Sequence, residues 1–263
     1  MKGITDFTAK ILGMPVLASS NGQDVDNLIV YVHWLMLALF IGWIIYFVYA
    51  VWRFQARRNP KADYHGVRNH ASNYIELTVA GIEAVLLIFV AVPLWAKAVD
   101  KFPAASTATV IQVVAQQYAW NVRYPGPDGV FGRQDMRFVS ETNIFGIDPT
   151  DPAGDDDFQT FNDIHVPIGK PVIVYVSSRD VIHSFKIIAM RVCQDAIPGL
   201  RIPVWFTPTQ IGRYQINCAQ LCGPGHSTMT QGYLTVDSQA DYDKWLRSKE
   251  GAKATAQTAA NFQ

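Results

Sequence analysis

LIVYVHWLMLALFIGWIIYFVYAVW, residues 28–52, runs for 25 residues without Asp, Glu, Lys or Arg. As a helix rising about 1.5 Å per residue, it crosses a hydrocarbon core of about 30 Å with length to spare. The competing reading is a buried helix of a large soluble core, but such helices rarely stay this long and this uncharged. His33, near its start, stands at interfacial depth and needs no special role. A second apolar stretch, LTVAGIEAVLLIFVAVPLWA at 77–96, holds one charge, Glu83. Its Pro93 lies near the end, where a membrane helix tolerates it. Two spans, 28–52 and 76–100, make a transmembrane α-helical hairpin.

The flanks orient the hairpin. The connecting residues 53–75 carry Arg53, Arg57, Arg58, Lys61 and Arg68 against Asp63 alone. A short loop with that basic excess belongs in the cytoplasm. Both the N-terminal residues 1–27 and everything after residue 100 then lie outside. Lys2 and Lys10 precede ILGMPVLASS, which reads either as an interfacial segment or as a weak signal peptide ending near residues 18–20.

The exported part has strand grammar. ATVIQVVAQQYAWNVRYPG, HVPIGKPVIVYVSSRDVIHSFKI, VWFTPTQIGRYQINC and MTQGYLTV mix β-branched and aromatic residues with Gly and Pro turns. Residues 106–236 suffice for one all-β sandwich or barrel. Residues 237–263 read as a short amphipathic helix at 241–249 and a loose tail. One insertion, 141–163, breaks the strand pattern with seven acidic residues and no Lys or Arg. It is either a solvated loop or, through Asp155, Asp156 and Asp157, a docking surface for a basic partner. Its spacing does not match an EF-hand calcium loop.

Over 263 residues, 22 basic and 22 acidic side chains balance to zero. That argues against a chain with a general nucleic-acid footprint. Three cysteines are too few for a disulfide scaffold. No CxxCH occurs, so no c-type heme is attached to this chain, and P-loop, GxSxG and dinucleotide fingerprints are missing as well.

The sharpest chemical signal is Cys218-Ala-Gln-Leu-Cys222-Gly-Pro-Gly-His226-Ser-Thr-Met229. Two thiols, an imidazole and a thioether fall within twelve residues, and such soft donors select copper or zinc over magnesium or calcium. His183, in RDVIHSF, follows a strand-like run and supplies a second imidazole. A mononuclear electron-transfer copper uses two His, one Cys and a weak axial Met, so this set has one cysteine too many. Two thiolates can instead bridge two copper ions. A Cys218–Cys222 disulfide, a structural zinc and ordinary packing are the other readings.

A membrane hairpin followed by a β-domain with H…CxxxCxxxHxxM resembles subunit II of the heme-copper cytochrome c oxidases. RDVIHSF and QDAIPG at 194–199 strengthen the likeness, which covers roughly residues 28–236. The resemblance implies a cupredoxin-like sandwich carrying a dinuclear copper centre outside the membrane. It implies electron entry from cytochrome c, or from a c-type heme subunit, and delivery to heme in subunit I for oxygen reduction. Further membrane subunits and the inner (cell) membrane belong to the same picture, with no nucleic acid. Carried over, Cys218 and Cys222 bridge the coppers, His183 and Met229 complete one, and His226 and the Gln220 carbonyl complete the other.

The chain departs from the family's pattern at several points. Residue 220 is usually Glu, whose side chain also reaches a magnesium or manganese ion at the subunit I border; neutral Gln220 puts that ion in doubt. The family's aromatic entry run is here Gln117-Tyr118-Ala119-Trp120, with Tyr118 in the place of the expected tryptophan and Trp120 close by. Plain strand packing is the other reading of this run. Glu76, before the second span, occupies the family's proton-entry position, or is a simple interfacial carboxylate. Glu83 is either a proton-transfer group or an interhelix hydrogen-bonding group. Asp195 and Arg191 stand where the family meets subunit I, and Asp195 alternatively serves a turn. Cys193 reads as a buried small thiol, His65 and His70 as surface residues, and His165 as a structural histidine. The runner-up functions are the copper subunit of a nitric-oxide reductase and a membrane-anchored copper-binding or assembly module. Quinol oxidation is disfavoured by the metal ligands.

Overall fold

The computed structural model describes residues 2–61, 64, 65 and 69–260. Of the loop charges that orient the hairpin, Asp63 and Arg68 lie outside these residues, as does the end of the tail at 261–263. The chain divides into two compact units, one of Met1–Met14 with Asp24–Asp100 and one of Pro15–Gln23 with Lys101–Gln263.

The first unit is helical. Helix α1 (Lys2–Ile11) precedes α2 (Gly22–Phe54), whose 33 residues contain the first apolar stretch. The second span runs Ala71–Asp100 as α3 (Ala71–Leu86), a wider π turn (Leu87–Ala91) and α4 (Val92–Asp100). The wide turn has a cause in Pro93. Proline has no N–H for the carbonyl four residues back, and its ring crowds that carbonyl, so the helix locally adds a residue to the turn. Lys97 pairs with Asp24 at 2.5 Å, joining the two spans at one end.

The second unit is a β-sandwich of two five-stranded sheets. One has the order β3 (Phe158–Phe161), β2 (Ala119–Tyr124), β1 (Thr109–Gln116), β5 (Val172–Ser178), β8 (Ile202–Phe206). The other has the order β4 (Asp163–Pro167), β10 (Gly232–Asp237), β9 (Gly212–Cys218), β6 (His183–Ile187), β7 (Val192–Ala196). Pairing is antiparallel except for β1 with β5 and β10 with β4. Alternate side chains of each strand turn inward, so Ile111, Val113, Trp120, Val122 and Val174 meet Ile164, Phe185, Ile216 and Leu234 in one dry core. The same alternation corrects the reading of Cys193. On edge strand β7 it faces outward and is exposed, while its neighbour Val192 is buried.

Two polar devices close this sandwich. Strand β2 is buried along its whole length, because the insertion covers its outer face. Arg123, on that face, has no exposed surface and gives its Nε and Nη2 to Asp157. Its remaining N–H groups meet the Gly132 carbonyl at 2.9 Å and Gln112 at 3.3 Å. Asp157 also accepts the Gly132 N–H at 3.0 Å. Asp157 is therefore a buried counter-ion, 4% exposed, and offers no charge to a partner; the docking role read for it is withdrawn, while Asp155 is exposed and Asp156 half-buried. The insertion is also shorter at its end than its composition suggested, since 158–161 form β3.

The second device is a histidine clamp. His165 Nδ1 lies 2.6 Å from Asp237 and Nε2 3.4 Å from Asp163, and its ring stacks at 4.4 Å on Trp245 of α5 (Gln239–Ala260). That helix is longer than the 241–249 segment expected from amphipathicity. Burial opposes protonation of His165, but hydrogen bonds to Asp163 and Asp237 outweigh it and hold the imidazole above its ordinary value of 6.5.

The N-terminal segment 15–23 is a third tie. Ala18 is fully buried in the sandwich core; its N–H donates to the Ala189 carbonyl at 2.8 Å and its carbonyl accepts from Thr209 at 2.8 Å. Ser19 donates to the Met190 carbonyl at 2.7 Å. Arg191, whose φ is +55°, reaches the Pro15 carbonyl at 2.7 Å and the Val16 carbonyl at 3.2 Å.

Removing one partner of a buried pair strands the other's charge. Asp157→Ala is expected to destabilise the sandwich by about 3–5 kcal/mol, read from denaturant unfolding of the solubilised chain. The His165 clamp has the opposite pH sense to an ordinary carboxylate pair. Its contribution is fully present below pH 6.5 and is lost as pH rises through the raised folded-state value. Trp245 fluorescence should report loosening of α5 over that rise, and His165→Gln should abolish the pH dependence.

Candidate metal centre

The pairing of β6 with β9 assembles the centre. Phe185 faces Cys218 in register, so His183 at the start of β6 and Cys218 at the end of β9 come to the same edge of the sandwich. The Ala219 N–H then bonds to the Ser184 carbonyl at 3.0 Å and turns the chain into the Cys218–Cys222 loop. Pro224 and the glycines on either side let this loop fold tightly. Gly223 holds φ at +130°, a conformation that side chains with a Cβ rarely adopt. A short 3₁₀ helix, His226–Gln231, closes the far side and buries Met229 completely.

The donor atoms converge. His183, Cys218 and Cys222 are all buried, with their ligand atoms within 4.8 Å of one another. His183 Nδ1 is 4.0 Å from the Cys218 sulfur, the two sulfurs are 3.9 Å apart, and His226 Nδ1 is 3.3 Å from the Cys222 sulfur. The Gln220 carbonyl stands 3.0 Å from the Cys218 sulfur. Both thiols are free. A sulfur separation of 3.9 Å is far beyond a disulfide bond of about 2.05 Å, so the disulfide reading falls. Burial and the neighbouring Cys218 thiol push the Cys222 thiol up to about 11. A soft metal would have to displace that proton to bind. The thiol pair, flanked by an imidazole at each end, suits a thiophilic metal.

Around the donors, every link is hydrogen-bonded or packed. The Trp120 indole N–H donates to the Met229 carbonyl at 3.0 Å, and its ring meets Phe185 edge-on at 5.4 Å and His183 at 6.3 Å. Trp120 has no exposed surface, so it braces the site and cannot meet a docked donor, contrary to its reading as an entry residue. Tyr118 is half-exposed and lies on the Cys222–His226 loop. A Cβ on Gly225 would come within 2.4 Å of its ring, and one on Gly223 within 2.6 Å of its hydroxyl. Gln117 Nε2 donates to the Cys222 carbonyl at 2.7 Å.

Sequence reading passed over Asp180. Its carboxylate accepts the Gln117 N–H at 2.7 Å and the Val181 N–H at 2.7 Å, and lies 2.9 Å from His183 Nε2. Burial pushes its pKa up, but the Gln117, His183 and Val181 hydrogen bonds outweigh burial and hold the carboxyl below its ordinary value. The spacing of Asp180 and His183, three residues apart in RDVIH, was the available signal. Other candidates lie elsewhere: Asp195 is exposed on β7, the Arg191 guanidinium rests on backbone carbonyls of 15, 16 and 188, and Glu76 and Glu83 are exposed on α3.

A β-sandwich tethered by two spans, with a buried soft-donor cluster at one edge that could hold a metal, defines a membrane-anchored module of the cupredoxin type. Comparison with known proteins specifies it further. The periplasmic-domain model of cytochrome c oxidase subunit II matches residues 109–235, and the transmembrane-domain model of the same subunit matches 8–96. The chain belongs to the cytochrome c oxidase subunit II family. The alternative cytochrome c oxidase subunit 2 of Bradyrhizobium diazoefficiens is 32% identical over 88% of this chain and 82% of its own length. Cytochrome c oxidase subunit 2 of Cereibacter sphaeroides is 27% identical over 92% of this chain and 84% of its own. A crystal structure of the periplasmic domain of the Bradyrhizobium japonicum subunit aligns with 25% identity over 58% of this chain and 99% of that one, with a TM-score of 0.43.

Membership gives the chain an electron-transfer role within an oxidase assembly, with subunit I as partner. It also gives a two-pass inner-membrane topology with the C-terminal domain in the periplasm.

Proposed function

We propose that this chain is the electron-entry subunit of a terminal respiratory oxidase, taking electrons from cytochrome c at a dinuclear copper centre and passing them to heme in subunit I for oxygen reduction. The observation that carries this reading is the pair of free, buried sulfurs 3.9 Å apart with an imidazole nitrogen beside each. Bound there, copper would supply one-electron redox chemistry with little change of shape.

The chain's own residues would do the holding: Cys218 and Cys222 would serve both coppers, His183 and Met229 would complete one ligand set, and His226 with the Gln220 carbonyl would complete the other. Gln220 is assigned through its backbone only. A neutral amide is a weak ligand for a hard cation, so no magnesium or manganese site is assigned to it. Trp120 fixes the Met229 turn through the carbonyl it binds. Tyr118 is the aromatic contact between the surface and the Cys222 loop, and we assign it as the entry residue. Asp155 and Asp156 are assigned to docking a basic donor, Asp195 and Arg191 to the subunit I border, and Glu76 to proton entry.

Electron paramagnetic resonance of the copper-loaded full chain tests the bridging assignment. The expected spectrum has hyperfine structure from two copper nuclei sharing one electron, and Cys218→Ser abolishes it while the hairpin stays inserted. A one-copper spectrum would instead support a mononuclear binding or assembly module, and a two-copper spectrum unchanged in Cys218→Ser would overturn the bridging assignment. Turnover of the purified complex with oxygen and with nitric oxide separates the two respiratory chemistries. Tyr118→Leu should slow electron uptake from a docked c-type donor at least several-fold, with the copper spectrum intact; an unchanged rate removes Tyr118 from the route.

A further inference from the structure

We propose that Asp180 is the positioning residue of the metal centre, holding His183 in its ligating orientation and joining that ligand to the electron-entry turn. The proposal deepens the reading just given and rests on it. It starts from one carboxylate that joins two stretches of chain, its own turn into β6 and the β1–β2 turn. Asp180 Oδ1 lies 2.9 Å from His183 Nε2 and accepts the Val181 N–H at 2.7 Å. Its Oδ2 accepts the backbone N–H of Gln117 at 2.7 Å, across 63 residues of sequence. Gln117 in turn gives its side-chain amide to the Cys222 carbonyl at 2.7 Å. Asp180 thereby links β6, which carries His183, with the β1–β2 turn, which carries Tyr118. Through Gln117 it extends to the loop of the second thiol.

The chemistry follows from what a carboxylate can do. An ionised carboxylate only accepts hydrogen bonds, so the His183 proton is placed on Nε2 and the lone pair on Nδ1. Nδ1 is the nitrogen turned toward the Cys218 sulfur, 4.0 Å away. A hydrogen bond from the far nitrogen of a ligating histidine fixes its ring and increases its basicity. His183 has no exposed surface, and its Nε2 meets the Asp180 carboxylate. Asp180 is itself 30% exposed on its side chain, which raises the competing idea that it contributes only surface charge to a docked donor.

The test uses the full chain loaded with copper, comparing wild type with Asp180→Ala and Asp180→Asn. Three readouts are taken: copper retention against a chelator, the paramagnetic spectrum, and the reduction potential titrated with small-molecule mediators. Asp180→Ala is expected to hold copper roughly 10–100-fold less tightly, with altered hyperfine couplings. Its potential should rise, because a negative charge that favours the oxidised site is gone. Asp180→Asn keeps the side chain's shape and one acceptor oxygen, so it preserves the fold and should show a smaller loss of retention with a raised potential. If both variants match wild type in all three readouts, and only the rate with a basic protein donor at low salt falls, Asp180 is a surface charge and the proposal is overturned. A wild-type chain without the two-copper spectrum overturns the functional reading, and this inference with it. A normal wild-type spectrum beside unchanged variants sinks this inference alone.

Discussion

The register of β6 against β9 is the constraint on which the metal centre depends. Phe185 opposite Cys218 is a single cross-strand pairing, yet it brings His183 next to a thiol that lies 35 residues further along the chain. A one-residue slip would turn His183 from the core face to the opposite face of the sheet. The register is held from both sides. Phe185 is buried under the Trp120 ring, and the Ala219 N–H is committed to the Ser184 carbonyl. The hydrophobic core and the metal site are therefore one construction: the same indole that fills the sandwich also fixes the turn carrying Met229.

Several polar groups at the margins of this core are tied to specific partners. Arg123 and Asp157 bury opposite charges beneath the insertion, an arrangement whose Coulomb gain is largely offset by desolvation. Its use is geometric: the guanidinium addresses Gln112 on β1, Asp157, and the Gly132 carbonyl, and so holds the insertion against the sheet. Segment 15–23 does the same with backbone bonds, inserting Ala18 among core residues and occupying the guanidinium of Arg191. A leader cleaved near residues 18–20 would leave these bonds to residues 15–18 unmade. Asp180 is the corresponding device at the metal edge, where one carboxylate meets two backbone N–H groups and a ligand imidazole.

Much of this was legible in the chain. The two apolar stretches, one uncharged and one holding only Glu83, are long enough that only a membrane accommodates them, and the donor spacing of residues 218, 222, 226 and 229 is local enough to be read directly. His183 was readable as a ligand by its residue type and by the resemblance of RDVIHSF, without knowledge of the strand pairing. Other assignments failed for nameable reasons. Cys193 looked buried because a thiol commonly is, but strand alternation on an edge turned it outward. Trp120 looked like a surface aromatic because Tyr118 is one, but Tyr118 lies in the β1–β2 turn, whereas Trp120 lies within β2 and its ring fills the core. Asp157 looked like one more acid in an acidic run, since nothing local announces an arginine 34 residues away.

Periodicity, charge asymmetry and ligand spacing are properties of neighbouring residues, and they determined the membrane hairpin, the strand-rich exported domain and the soft-metal motif. Which sulfur faces which imidazole, which acid is buried and which carboxylate orients His183 depend on pairs far apart in the chain. Those pairs meet only when the sheets close on one another and exclude water, so folding alone decided them.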